Sequence, residues 1–158
     1  MSRSTFKRMT EHITLLGFEH KIRLTWITSG WDHAESFPEE RTAYVPVITR
    51  GSDYLVALHE LGHCADPLAR SLVWTQDIHG LVLTEGAAWA WAAENALAPL
   101  RNRLTAKDWA LIGTAFGSYI RRTRSGGYET ALRARVNPLE ALQADSALEP
   151  APSPHTPV

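Results

Sequence analysis

Residues 52–66 read SDYLVALHELGHCAD, and the rest of the chain is best understood outward from them. Leu55, Leu58, Leu61 and Gly62 recur at helical spacing and would face a core. Ser52 is placed to cap the helix, and Asp66-Pro67 stops it, because a residue before proline is pushed out of the helical conformation. His59 and His63 are four apart, so their imidazoles project from one helix face, about 6 Å apart along the axis. At that separation both can reach one zinc ion at about 2.0–2.1 Å. Glu60 lies one position round and can take a proton from a water held by the metal without filling a coordination position. The plain alternative is a solvated helix face with two unrelated histidines. Gly62 weighs against it, since a glycine inside a helix costs about 1 kcal/mol and signals that another element approaches closely.

Upstream, Phe6, Met9, Ile13 and Leu16 predict a helix capped by Ser4 and ended by Gly17. Ile22, Leu24 and Trp26 alternate with Lys21, Arg23 and Thr25, the pattern of a half-buried strand. A Gly/Asp/Ser/Glu/Pro-rich loop is expected over 29–40. The run 42–49, TAYVPVIT, is strand-like, and Pro46 removes a ladder donor, which predicts an edge position. His12, His20 and His33 read as ordinary polar surface residues.

Downstream, an alanine-rich helix is expected from Val82 to Leu97, closed by Pro99, with Trp89 and Trp91 on opposite sides as core residues, one of them lining a cleft. A further helix starts at Thr105, its apolar face carrying Trp109, Ile112, Phe116 and Tyr119. A last short helix falls near Tyr128 to Val136, and the proline-rich segment 144–158 reads as a disordered tail. Residues 1–143 are therefore expected to form a single domain.

Composition narrows the classes. The 158 residues carry a net charge of −1, so no overall field draws nucleic acid or an anionic membrane. The Arg121–Arg124 cluster is accounted for by a solvated helix end. No stretch approaches the length of apolar chain that spans a bilayer, and the N-terminus lacks the pattern of a secretory signal, which makes the cytoplasm the expected compartment. Cys64 is the one cysteine, which excludes an internal disulfide and suits a small buried residue.

HELGH on one helix, followed by a glutamate on a second in LTEGAAWAW, resembles the zincin metallopeptidases, and within them the gluzincin branch. Small HELGH-bearing proteins of bacteria and phages are the nearest in pattern, including the minigluzincins and the ImmA/IrrE family. The resemblance spans roughly residues 42–97. It implies a glutamate as third zinc ligand, which falls on Glu85, and an edge strand that holds the substrate backbone, which falls on 42–49. Metzincins would need Gly and His where this chain has Asp66 and Ala69. Large gluzincins carry an aspartate four residues after the third ligand; here that position is Trp89, so support for His59 must come from elsewhere.

The expected fold is α+β and zincin-like: an N-terminal helix and a small edge-exposed sheet, then the active-site helix and the glutamate helix packed together. The expected activity is that of a zinc metalloendopeptidase. His59, His63 and Glu85 hold Zn2+, Glu60 is the general base, and the partner is a protein or peptide substrate. Asp66 and His79 are competing candidates for the third ligand, and His79, Tyr119 or Tyr128 for stabilising the oxyanion. Two rival readings are a zinc-stabilised regulatory or phage assembly protein that cleaves nothing, and a zinc hydrolase acting on a non-peptide bond.

Overall fold

The computed structural model describes residues 2–28, 31–71 and 78–98. The helices expected from Thr105 and near Tyr128, the tail at 144–158, Tyr119 and Tyr128 lie outside the described residues.

Helix α1 (Arg3–Glu19) buries Met9, Ile13 and Leu16, the stripe its spacing predicts. Its cap is Ser2 rather than Ser4: the Ser2 hydroxyl accepts from the Thr5 amide at 3.3 Å. The helix also runs two residues past Gly17, because its closing bonds, from the His20 amide to the Leu16 and Phe18 carbonyls, form beyond the glycine. Strand β1 (Arg23–Ile27) follows, with Leu24 and Trp26 turned against the core.

The segment expected as loop contains a 3-10 turn, Trp31–His33, and strand β2 (Glu35–Phe37). Strand β3 (Thr42–Pro46) is the centre of the sheet, not its edge. The order is β1-β3-β2, with β3 parallel to β1 and antiparallel to β2. Pro46 is tolerated there because of where its missing donor would point. The Val47 amide donates to the Ile27 carbonyl on the β1 side. Alternation along the strand then turns position 46 toward the β2 side, beyond Glu35↔Tyr44, where that pairing has already ended.

Helix α2 (Gly51–Ala65) is buried from Gly51 through Cys64. It is enclosed by β3, α1 and helix α4 (Ile78–Asn95), with Ala43 and Val45 beneath it and Trp89 and Trp91 across from it. Ser52 lies inside α2; the cap position belongs to Arg50, whose backbone amide donates to the Asp53 carboxylate at 3.1 Å. Asp66 ends α2 in extended backbone, as the following proline requires. It then starts a short helix the sequence did not reveal, α3 (Pro67–Ser71), where Asp66 Oδ1 accepts from the Leu68 and Ala69 amides at 2.9 and 2.8 Å. Helix α4 begins at Ile78, four residues ahead of the expected Val82, so His79 stands in its first turn rather than on a loop.

Two ties lock these elements. Arg41, itself in left-handed backbone, donates through its guanidinium to the carbonyls of His20, Lys21 and Cys64. A cation thus sits where α1 and α2 present their unsatisfied carbonyl ends. Tyr54, fully buried on α2, accepts from the Leu97 amide at 3.0 Å and shares a hydrogen bond with His12 Nδ1 at 2.9 Å. Burial pushes its phenol pKa up to about 12, so it stays neutral. His12 is therefore not the plain surface residue its position suggests; desolvation holds its pKa below the usual histidine value.

Candidate metal centre

Placing His59 and His63 in a helix that is buried along nearly its whole length is expensive unless each finds a partner. The partner comes from α4. A side chain at position 62 would drive a Cβ to 2.6 Å from the Ala88 carbonyl oxygen and 3.0 Å from its Cα. Only glycine lets the two backbones come this close, which is the close approach that Gly62 foretold. Ala87 and Ala88, both buried, keep the facing side of α4 equally thin. Glu85, about one turn before Ala88, is thereby carried opposite the two histidines.

The result is a compact cluster. His59 Nε2 and His63 Nε2 are 3.1 Å apart. Glu85 reaches both, Oε2 at 3.2 Å from His59 Nε2 and Oε1 at 3.4 Å from His63 Nε2. Among the described residues this is the group of His, Cys, Asp and Glu donors arranged to hold a metal ion. Donor atoms about 2.0–2.2 Å from a tetrahedral centre stand about 3.3–3.6 Å from one another. The separation of the imidazole nitrogens, and of each nitrogen from its own carboxylate oxygen, is close to that spacing, so the cluster has the donors and the size to hold a metal ion. The three side chains keep exposures of 8, 10 and 12%, so the cluster is not sealed from solvent.

The electrostatics carry the same message. Burial opposes a charged His63, but the hydrogen bond and charge of Glu85, with the charge of Glu60, outweigh it and raise the imidazole pKa. Burial likewise opposes an ionised Glu85, yet hydrogen bonds from His59 and His63 and their charge hold its carboxyl far below the ordinary range. A buried carboxylate whose partners are two imidazoles demands positive charge, supplied by a proton or by a metal ion.

No protein family, curated protein or solved structure matches the chain. What stands on its own is a His/His/Glu cluster able to bind a metal ion, within a zincin-like arrangement of helices and sheet. Of the competing candidates, Asp66 is engaged in capping α3. Cys64 is fully buried beside His63; its thiol donates to the Thr42 carbonyl, and burial pushes its pKa up to about 11. It is an inert packing residue, as its position suggested.

Two features around α2 were not legible in the sequence. Trp89 stacks on the His59 imidazole, ring centroids 4.1 Å apart and planes 22° from parallel. Trp91, on the other side of α4, meets His20 edge-on at 5.4 Å. Both tryptophans are core residues as expected, but the contact of Trp89 with the His59 ring had no sequence signal. The second is Asp53, one of the acidic residues of α2, which gathers the start of the helix. Its carboxylate accepts from Trp31 Nε1 at 2.8 Å, Thr49 N at 2.9 Å, Thr49 Oγ1 at 2.8 Å, Arg50 N at 3.1 Å and Arg50 Nε at 2.9 Å.

Proposed function

We infer that this chain is a zinc-dependent metallopeptidase of the gluzincin type. His59, His63 and Glu85 would hold the ion, leaving a fourth position for water or substrate. Zinc in such a site polarises a carbonyl and lowers the pKa of its water toward about 7. Glu60 takes the proton from the attacking water and returns it to the leaving amine. The single observation that carries this reading is two imidazole nitrogens 3.1 Å apart, each 3.2–3.4 Å from its own oxygen of the Glu85 carboxylate, with Glu60 buried on the same helix. Glu60 also favours catalysis over a purely stabilising metal: a structural site has no use for a further buried carboxylate, which costs desolvation.

The substrate class is argued from the sheet. With β3 at the centre, the 42–49 run cannot receive a substrate strand, and that role passes to β2, the antiparallel edge strand packed near α2. An extended peptide is the ligand such an edge accepts. Residues 1–143 as one catalytic domain, a cytoplasmic setting and a protein or peptide substrate complete the proposal. Among the described residues, no helix is long and apolar enough to cross a membrane.

The test is elemental analysis of the purified protein together with cleavage of a peptide library by wild type and Glu60→Gln. About one zinc per chain is expected in both. Turnover should fall by about 10²–10⁴-fold or more in Glu60→Gln. Zinc without cleavage by the wild type would favour the regulatory or assembly reading, and no metal after zinc-supplemented expression would remove both.

A further inference from the structure

Histidines that ligate metals ordinarily donate their second ring N–H to a carboxylate or carbonyl, which fixes the ring plane. His59 departs from this. Its Nε2 faces the cluster, while its Nδ1 is buried and has no hydrogen-bond partner among the described residues. What does hold the ring is Trp89, 6% exposed and stacked face to face on it at 4.1 Å. Trp89 is four residues after Glu85, one helical turn on, so the helix that supplies the carboxylate also supplies the flat surface.

We propose that Trp89 is a positioning residue: its indole face orients the His59 imidazole for metal binding, in the place of a hydrogen-bond acceptor at Nδ1. This rests on the cluster being a metal site, but it makes a separate claim about how that site is kept in shape. Stacking restricts rotation of the imidazole about its own bond and leaves Nε2 directed at His63 and Glu85. What it requires is a flat aromatic face. Bulk alone is not sufficient.

Cobalt(II) binding tests this without reference to turnover. Wild-type protein that binds no Co2+ or Zn2+ would overturn the metal site itself, and with it this proposal. If the wild type binds, Trp89→Phe, which keeps a ring, should retain the visible d–d band and bind Co2+ within a few-fold of wild type. Trp89→Met keeps apolar bulk but no flat face; it should bind about 10–100-fold more weakly, with a shifted band. Trp91→Met removes an equally buried indole that does not touch His59, and should leave band and affinity unchanged. Equal losses in Trp89→Met and Trp91→Met, or no loss in Trp89→Met, would overturn the proposal. A measurement on the wild type alone guards against a variant that does not fold. The ring protons of His59 should be shifted upfield by the indole both before and after Zn2+ is added. Loss of that shift on metal binding would show the stack breaking as the ligand engages, and would overturn the proposal as well.

Discussion

Asp53 lies on α2 and Glu85 on α4 packed against it, and both carboxyls are held below their usual pKa, yet they sit in opposite kinds of surroundings. Burial opposes ionised Asp53, and five hydrogen bonds from Arg50, Thr49 and Trp31 outweigh it. Four of those donors are neutral groups that keep their protons at any ordinary pH, and the fifth is a guanidinium that never loses its charge. The Asp53 end of α2 is therefore complete. Glu85 faces two imidazoles, whose nitrogens donate only when protonated. Its partners change their charge with a proton, and they can share a metal ion instead. A lowered carboxylate pKa does not by itself mark a metal site; the nature of its partners does.

The sharpest way to break this comparison is to remove each carboxylate in turn. Glu85→Ala should weaken zinc binding by orders of magnitude, measured by competition with a chromophoric chelator, and should cost the metal-free fold less than the loss of Asp53 does. Asp53→Ala should do the reverse. It strands buried donors at the start of α2 and should cost about 2–4 kcal/mol of stability by denaturant melt, with zinc stoichiometry unchanged in the folded fraction. Equal effects of the two substitutions on zinc would show that the helix ends are not independent.

Gly62→Ala comes next in size. The new methyl would meet the Ala88 backbone, which cannot rotate away, so α4 must shift at a cost of about 1–3 kcal/mol. Because Glu85 travels with α4, zinc affinity should fall alongside stability. A variant that loses stability but binds zinc as the wild type does would separate the helix contact from the site.

The smallest effect is one of pH, read in metal-free protein as the difference in Tm between wild type and Glu85→Ala. The raised His63 pKa contributes stability that is fully present below its unfolded value of 6.5 and lost as pH rises through the folded value. The lowered Glu85 pKa contributes stability present above 4.5 and lost as pH falls toward the folded value. The Tm difference should therefore be greatest between about pH 4.5 and 6.5 and shrink above that window. Excess zinc should move the maximum upward, since metal and proton compete for the same nitrogens. A difference that does not vary with pH would mean the three groups are not coupled.

How much of this the sequence carried depends on the range over which each feature is decided. Helical periodicity is local, so α1, α2 and the body of α4 were readable from residue spacing, as was the stop at Asp66-Pro67. The four-residue interval between His59 and His63 settled their common face before any packing was known. Gly62 announced a close neighbour but not its identity. The sequence was misleading at Pro46, because whether a missing amide matters depends on which strand lies on that side. It was silent on β2 and α3, each too short to show a period.

By itself, then, the sequence determined a helix bearing two histidines and a glutamate with the chemistry of a metal site, and the small residues that would let a second helix approach it. Tertiary structure alone decided that β3 runs through the middle of the sheet and that Asp53 meets amide, hydroxyl, indole and guanidinium donors while Glu85 meets two imidazoles. It also placed Trp89 against the His59 ring, where the absent aspartate had left the support of that ligand open. The reason is one of distance along the chain. Backbone geometry fixes relations within a turn or two, but which groups meet across 26 residues, from His59 to Glu85, is settled only when the core closes around them.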